Sequence, residues 1–309
     1  MTEAVLIGFD WGTTNLRAAL LDASGNVLEQ RVGPSGVGRI SPDDFAARFD
    51  EHVSGWPAVP ALLAGMVGSA QGWRDAGYAP APTRVADLGE ALRTFEHDGR
   101  TVAIVPGVNQ GADGEGAPDV MRGEETQIAG LLERRPHFQG TVVMPGTHSK
   151  WVRVAGGAIR SFSTYMTGDL FEAVGRHTIL RHSVAESGTA QGAFETAFAS
   201  AFGRDGEQGR SVWGQLFAIR AATILYGAGG AEGRDKLSGF LVGAEFAAAR
   251  ADGYLQDDDE DRLTLIGSGA LVERYRQACA IAKIENVAYQ GTPLVWPALV
   301  ALARQKSLL

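Results

Sequence analysis

The 309-residue chain contains one cysteine, Cys279. A single cysteine excludes an internal disulfide framework and fits a reducing compartment. Cys279 lies in the apolar-periodic stretch LVERYRQACAIAKI, which predicts a buried position in the packing of a helix. Together with an N-terminus that lacks a basic region, this predicts a cytoplasmic protein.

Runs of lysine and arginine are also missing. The chain has 28 basic and 36 acidic residues and a formal net charge of −8. This balance argues against nucleic acid and against an anionic membrane as partners, and no apolar run is long enough to span a bilayer. An anionic substrate must therefore be held by a few local groups.

The usual residues of zinc sites and of serine hydrolases do not occur in the required patterns. Among the six histidines, His177 and His182 are five residues apart and do not share a helix face. No Gly-x-Ser-x-Gly elbow is present, and the neighbours His148 and Ser149 point to opposite faces of a strand.

The order of apolar segments predicts a two-lobed α/β protein, because 309 residues exceed what one core usually supports. Strands are predicted in AVLIGFD, LRAALLD and VLEQRVG, and helices in SPDDFAARFDEHVSGW and DVMRGEETQIAGLLERR. The strand–turn–strand order restarts at TVVMPGTHSKWVRV, which indicates a duplication. We predict lobes at 1–139 and 140–309, with the C-terminal helix as a candidate to return to the first lobe. The acidic run at 257–261 indicates a solvated loop.

The first strand ends on Asp10 and is followed by a turn of small polar residues, in the order Gly12, Thr13, Thr14 and Asn15. Such a turn can aim backbone N–H groups and hydroxyls at a phosphate. Asp10 would repel the phosphates directly and is better suited to hold a hydrated Mg²⁺. A plain hairpin turn is the alternative interpretation.

A second turn of the same kind, MPGTHSKWV, brings Gly146, Thr147, Ser149 and Lys150 into the same context. Two such hairpins, one in each lobe, are able to clamp a polyphosphate. Near the C-terminus, Gly267, Ser268 and Gly269 form a glycine turn that opens a helix and lets a base or ribose lie against the backbone. This third signal is weak alone.

The three motifs in this order resemble those of the actin, hexokinase and heat-shock ATPase superfamily. The resemblance implies a duplicated ribonuclease H-like fold with ATP bound in a cleft between two lobes. It makes GFDWGTTNLRAALLD and VVMPGTHSKWVRV the two phosphate motifs and LIGSGALVERY the adenosine motif. Met144 and Pro145 stand where the superfamily often has an acidic residue, which places more of the metal binding on Asp10.

A narrower resemblance is carried by DWGTTNLRA, AGMVGSAQGW, MRGEETQIAG, MPGTHSKWV, YMTGDLFE and LVGAE. These segments look like the 2-dehydro-3-deoxygalactonokinase family. The resemblance implies ATP-dependent phosphorylation of the 6-hydroxyl of 2-dehydro-3-deoxy-D-galactonate, a step of galactonate catabolism, with Mg²⁺ as the metal.

A kinase of this kind requires a carboxylate that accepts the proton of the sugar hydroxyl. Related carbohydrate kinases carry Gly-Asp-Gln-Gln at the position of RGEETQIAG, and that register makes Glu124 the base. Glu125 is the second candidate, for a metal-bound water. Favourable placement of two acidic residues at a helix start is the structural alternative.

A keto acid substrate also brings a carboxylate that must be paired. Arg17, Arg122 and Lys150 are the nearby cations, and the sequence does not decide among them. Asn15, Gly68 and Ser69 are candidates for binding the sugar hydroxyls, and Met66 is better explained as core. Asp169 is accounted for as a helix cap, with a contact to a substrate hydroxyl as the alternative.

Other functions stay open at this point. A phosphohydrolase of the exopolyphosphatase type would share the fold, although its usual Gly-Gly-Gly-Ser turn is missing here. A kinase for another sugar acid and a nucleotide-dependent regulator are further alternatives. A homodimer is one candidate assembly.

Overall fold

The structure is a computed structural model and describes residues 3–111, 117–203, 209–255, 263–285, 287–290 and 293–309. The acidic run at 257–261 lies outside these residues. The chain divides into two compact units. Unit 1 comprises 1–138, 154–162 and 292–309, and unit 2 comprises 139–153 and 163–291.

The strands and helices alternate along most of the chain. The strands are β1 (Ala4–Trp11), β2 (Leu16–Asp22), β3 (Val27–Gly33), β4 (Ala61–Gly65), β5 (Tyr78–Pro80), β6 (Thr83–Arg84), β7 (Arg93–His97), β8 (Arg100–Ile104), β9 (Gly107–Gln110), β10 (Asp119–Met121), β11 (Gly140–Met144), β12 (Ser149–Ala155), β13 (Ala158–Tyr165), β14 (Leu263–Ile266) and β15 (Val287–Gln290). The helices are α1 (Phe45–Val53), α2 (Val85–Glu90), α3 (Glu124–Arg134), α4 (Thr167–His177), α5 (Ala193–Phe202), α6 (Leu216–Tyr226), α7 (Gly230–Ala251), α8 (Gly269–Ile281) and α9 (Val295–Gln305).

Unit 1 is built on a six-stranded sheet in the order β3-β2-β1-β4-β8-β7. The hairpin strands β1, β2 and β3 are antiparallel, whereas β1, β4 and β8 run parallel. Phe9 and Trp11 of β1 pack with Phe45 and Phe49 of α1 in one hydrophobic cluster. Gly8 provides the space for α9, since a Cβ atom there would lie 3.0 Å from Leu299.

A second six-stranded sheet, in the order β15-β14-β11-β12-β13-β6, repeats this strand order. Three strands from the restarted pattern, β11, β12 and β13, lie side by side, and β14 and β15 continue from β11 in parallel. The same arrangement of a strand hairpin beside parallel strands therefore occurs twice in the chain. This confirms the predicted α/β fold class and its duplication.

Helices α5 and α7 pack closely in unit 2 because α7 presents two glycines to α5. A Cβ atom at Gly239 would lie 2.4 Å from the backbone oxygen of Phe194, and one at Gly243 would lie 2.6 Å from that of Phe198. Side chains larger than hydrogen would push the two helices apart. The contact buries an aromatic cluster that includes Trp151.

The predicted burial of Cys279 is confirmed, since this residue is 2% exposed in α8, and burial raises the pKa of its thiol to about 12.

Within the described residues, no helix has the combined length and apolar character that crossing a bilayer requires.

Two helices begin at residues other than those predicted from the sequence. The first begins as a short 3₁₀ turn at Pro42–Asp44 and continues as α1. The second was predicted from Asp119, but Asp119–Met121 pairs with β9 as strand β10, and the helix begins at Glu124. The positive φ of Gly123, 104°, separates the strand from the helix.

Candidate active site

Unit 2 contains a pocket of about 770 Å³. It is lined by the turn after β11, the start of α4, the middle of α7 and the start of α8. Pockets of about 300–1,000 Å³ are typical of small-molecule and cofactor sites. The second phosphate motif and the adenosine motif, more than 100 residues apart in sequence, thus border one cavity.

The turn after β11 is anchored to the start of α4. The backbone N–H groups of Gly168 and Asp169 donate hydrogen bonds of 3.1 and 3.2 Å to the carbonyl oxygen of Thr147. A Cβ atom at Gly168 would lie 2.6 Å from the Cα of Thr147, so only glycine allows this approach. Gly146 and Thr147 both line the pocket.

The glycine turn before α8 lies at the edge of the same pocket. Gly269 has a φ of 78° and Gly267 one of 146°, and both values favour glycine. Ser268 precedes α8 without a side-chain capping bond. Ala270 and Leu271, the next two residues, line the pocket, whereas the three turn residues themselves do not.

A buried carboxylate on α7, Glu245, ties the walls of the pocket together. Its Oε1 accepts a 2.7 Å hydrogen bond from Trp151 of β12, and its Oε2 accepts one of 2.7 Å from the hydroxyl of Tyr275 in α8. The hydroxyl of Thr167 in α4 also donates to Oε2. Glu245 is 3% exposed, and burial raises the pKa of its carboxyl group. One side chain therefore links β12, α4 and α8 through hydrogen bonds.

This cluster was missed by the sequence interpretation, which noted LVGAE as a motif but gave Glu245 no role. The cluster also corrects the expectation for Ser149. That residue is fully buried, and its hydroxyl lies 2.8 Å from the hydroxyl of Tyr275 and 3.4 Å from the backbone nitrogen of Gly146. Ser149 supports the turn from behind and does not line the pocket.

The side chain of Lys150 is directed towards β13 and not towards the pocket of unit 2. It is 6% exposed, and its Nζ donates a 2.6 Å hydrogen bond to Thr164 on β13. It does not line the pocket of unit 2. This placement does not favour the expected contact of Lys150 with ATP.

His148 and Asp169 form a pair that corrects the predicted capping role of Asp169. The N-cap of α4 is Met166, no side chain caps the helix, and Asp169 lies in the first turn. Its Oδ2 is 2.6 Å from Nε2 of His148, and both side chains are about half exposed. The pair places an imidazole beside the second phosphate turn.

In unit 1, the turn between β1 and β2 is held in place by a loop. The N–H of Gly12 donates to the carbonyl of Asn15 over 3.0 Å, and the N–H groups of Gly36 and Gly38 donate to the carbonyls of Thr14 and Thr13. Thr13, Thr14 and Asn15 are exposed. The turn is therefore both fixed and open to solvent.

Asp10 lies at the end of β1, opposite Arg17 of β2, and the two side chains form an ion pair. Arg17 is 45% exposed and Asp10 is 25% exposed. The carboxylate is accessible at the sheet edge where the phosphate turn begins. Its partner is a cation that an approaching anion can share.

The start of α3 lies at the same sheet edge as Asp10. Trp11 pairs in register with Gly65 of β4, and a Cβ atom at Gly123 would lie 3.6 Å from the Cα of Gly65. Glu124, the first residue of α3, is partly exposed, and its Oε2 accepts a 3.0 Å hydrogen bond from the backbone N–H of Arg122. The fold thus brings the candidate metal ligand and the candidate base to one region of unit 1.

Glu125 has a different environment from its neighbour. It is fully buried, with Oε2 bonded to the N–H of Gly123 over 2.6 Å and Oε1 to the hydroxyl of Thr126 over 2.8 Å. Burial, with a contribution from the charge of Glu124, raises the pKa of Glu125 to about 7. This corrects the expectation that Glu125 serves a metal-bound water, because both oxygens are used inside the protein.

Arg122 lies against the sugar-loop candidates. Its Nη2 donates a 2.9 Å hydrogen bond to the carbonyl of Gly77, and its guanidinium lies 4.3 Å from the ring centre of Tyr78. A Cβ atom at Gly68 would lie 2.9 Å from Nη1. Within the described residues, Nε and Nη1 of Arg122 and the hydroxyl of Ser69 are buried and have no hydrogen-bond partner.

Such orphaned donors are uncommon in folded proteins and mark a place for a polar ligand or water. Met66 is only partly buried, which is less than the core position predicted for it, while Trp73 packs against the core of unit 1.

Comparison with known proteins identifies the family of this chain. The family model for 2-keto-3-deoxy-galactonokinase matches residues 10–302. The chain is 37% identical to a Rhizobium meliloti (strain 1021) protein named "Probable 2-dehydro-3-deoxygalactonokinase DgoK1", over 98% of both chains. It is 36% identical to the 2-dehydro-3-deoxygalactonokinase of Escherichia coli (strain K12), over 88% of both chains.

One solved structure shares the fold throughout. It is a Sinorhizobium meliloti protein described as a candidate 2-dehydro-3-deoxygalactonokinase, with a TM-score of 0.87 and 36% identity, and the match covers 97% of this chain and 98% of that one. A family match of this extent, with relatives of this identity, leaves one conclusion. The chain belongs to the 2-keto-3-deoxy-galactonokinase family.

Proposed function

We propose that this protein transfers the γ-phosphoryl group of ATP to the 6-hydroxyl of 2-dehydro-3-deoxy-D-galactonate in galactonate catabolism. The observation that carries the proposal is the pocket of unit 2, which is bordered by the second phosphate turn and by the start of α8 in a chain that matches the kinase family over residues 10–302. The cytoplasmic location expected from the single cysteine stays a prediction.

The pocket of unit 2 is the proposed nucleotide site. Its volume of about 770 Å³ suits a nucleotide, and Gly146 and Thr147 offer backbone and hydroxyl donors to the phosphates. The turn Gly267–Gly269 brings backbone close to the adenosine at the entrance to α8. Tyr275 lines the pocket, and Glu245 accepts its hydrogen bond from behind the wall.

Asp10 is the proposed ligand of Mg²⁺. Within the described residues, no group of three or more His, Cys, Asp or Glu side chains is arranged to hold a metal. One carboxylate fits the family's metal nonetheless, because Mg²⁺ bound with ATP usually takes one or two carboxylates and completes its shell with phosphates and water. When bound, the metal neutralises charge on the phosphates.

Glu124 is the proposed general base. It is partly exposed at the start of α3, and the N–H of Arg122 orients its Oε2. The carboxylate accepts the proton of the 6-hydroxyl as the sugar oxygen forms a bond to the γ-phosphorus. The bond from phosphorus to the bridging oxygen breaks, and ADP leaves with that electron pair.

Arg122 is the best candidate partner of the substrate carboxylate. Arg17 already pairs with Asp10, and Lys150 is buried against Thr164. By contrast, Arg122 makes no ion pair in the described part of the chain, and its Nε and Nη1 are unpaired donors. Gly68, Ser69 and Asn15 remain the candidates for sugar hydroxyls.

The test is ADP release by the purified protein with Mg²⁺ and ATP. We expect release only when 2-dehydro-3-deoxy-D-galactonate is added, and a phosphorylated product with the mass of the sugar acid plus one phosphoryl group. The gluconate epimer is the control for sugar specificity. Hydrolysis of polyphosphate without sugar would instead indicate the phosphohydrolase alternative.

A further inference from the structure

Helix α6 and the turn before it expose a set of large apolar side chains. We refer to this set as the α6 face, which consists of Trp213 (75% exposed), Phe217 (64%), Ile224 (62%), Leu225 (68%) and Tyr226 (83%). Scattered single apolar residues are normal on protein surfaces, whereas five on one short helix and the turn before it indicate an interaction site.

The pattern within α6 shows that the exposure is built into the helix. Its sequence LFAIRAATILY has no acidic residue and a single cation, Arg220. Ile219 is buried inside unit 2, where α6 packs on α7. The outward residues Phe217, Ala221, Ile224 and Leu225 follow the spacing i, i+4, i+7 and i+8 of a second apolar stripe. A helix with solvent as its only outer neighbour carries polar residues on that face.

The size of the α6 face matches what a stable interface requires. The five side chains expose on the order of 700 Å² together, which lies within the range of roughly 600–1,000 Å² that each partner buries in a standard-size interface. The largest apolar patch on a typical monomer is roughly 300–600 Å². The α6 face therefore exceeds the apolar patch of a typical monomer and has the size of one side of a dimer interface.

We propose that the α6 face is a dimer interface that binds the α6 face of a second copy of this chain. A two-fold axis brings the same patch of both copies together, so each large side chain meets the partner's surface. The small residues Ala218 and Ala221 alternate with Phe217 and Ile224, which makes the stripe able to receive its own copy. The stripe has no acidic residue, so the net charge of −8 adds no close repulsion there.

A lipid surface is the less suitable occupant. Helices that bind membrane surfaces carry lysine and arginine along the polar rim. The single cation of α6, Arg220, is turned towards unit 2, with its Nη1 3.4 Å from the hydroxyl of Ser183. The dimer does not depend on the proposed kinase activity, since none of the face residues belongs to the nucleotide pocket.

The test is the mass of the native protein in solution. The chain mass is 32.6 kDa, and we expect sedimentation and light scattering to give twice that mass. Protein concentrations from about 1 to about 50 µM are needed, because the population of a dimer depends on concentration. Phe217→Asp combined with Ile224→Asp should give the single-chain mass. Val32→Asp, at a residue 66% exposed on β3, is the matched control and should leave the dimer intact.

Three outcomes would overturn the proposal. The native protein could have the single-chain mass over the whole range, the double variant could keep the dimer, or the control could lose it. Retained far-ultraviolet circular dichroism and ADP release would show that the double variant is folded. A second measurement uses Leu225→Cys, which should form an intermolecular disulfide under mild oxidation if two α6 faces meet. The native thiol of Cys279 is buried and does not compete in this reaction. A monomer that binds phosphatidylserine vesicles through the same face would favour the lipid surface.

Discussion

Glu125→Gln should change how the stability of this protein depends on pH. The carboxyl group is fully buried, and its pKa rises from 4.5 to about 7. It is therefore easier to protonate in the folded protein than in the unfolded chain. The folded state gains stability from this group below pH 4.5 and loses it as the pH rises through about 7.

The size of the effect follows from the two pKa values. A rise from 4.5 to about 7 corresponds to about 3 kcal/mol, of which roughly 2–3 kcal/mol is lost between pH 5 and pH 8. Glutamine has the same shape but does not titrate. Its amide oxygen can accept the N–H of Gly123, and its NH₂ group can donate to the hydroxyl of Thr126. Relative to the native protein, the variant should become more stable as the pH increases.

The assay is urea denaturation followed by tryptophan fluorescence at several pH values from about 5 to 8, where the difference in unfolding free energy between the two proteins is compared. Glu133→Gln, an exposed acidic residue in the last turn of the same helix, is the control and should show no such trend. If the curves of the native protein and Glu125→Gln run parallel over this range, the assigned burial and pKa of Glu125 are wrong.

Three further changes test the proposed chemistry. Glu124→Gln should lower kcat by roughly 10²- to 10⁴-fold with little change in the KM for ATP. Glu133→Gln is the control and should keep kcat within a few-fold of the native value. The same small change in Glu124→Gln would show that Glu124 is not the general base. Arg122→Lys should raise the KM for the sugar acid by about 10- to 100-fold with the KM for ATP unchanged, and equal changes in both constants would point to a folding defect. Tyr275→Phe should raise the KM for ATP and lower the free energy of unfolding by about 1–3 kcal/mol, because Glu245 and Ser149 each lose a buried hydrogen bond. An unaltered KM for ATP would show that the Glu245 cluster does not support the nucleotide pocket.

Local pattern was enough to predict the repeated strand order. The alternation of apolar residues specifies β2 and β3, and the four residues between them, 23–26, join them through contacts between near neighbours in sequence. The start of α3 could not be predicted in this way. Asp119–Met121 adopts a strand because it pairs with β9, and an acidic helix-start pattern does not reveal whether a partner strand is present.

The sequence also supplied the candidate residues of the site, because glycine turns and terminal carboxylates have chemical meaning wherever they occur. It did not indicate which of two adjacent glutamates is buried. Glu124 and Glu125 have the same chemistry, but only the packing around α3 leaves one at the surface and encloses the other.

By itself, then, the sequence determined the α/β class, the duplication and the turn chemistry, since all three depend on short-range spacing. The tertiary structure decided what depends on distant partners. Trp151 and Glu245 are 94 residues apart, and Ser149 and Tyr275 are 126 apart. Their hydrogen bonds form only after strands and helices from both ends of unit 2 enclose the same volume, and no local pattern records which side chains will share it.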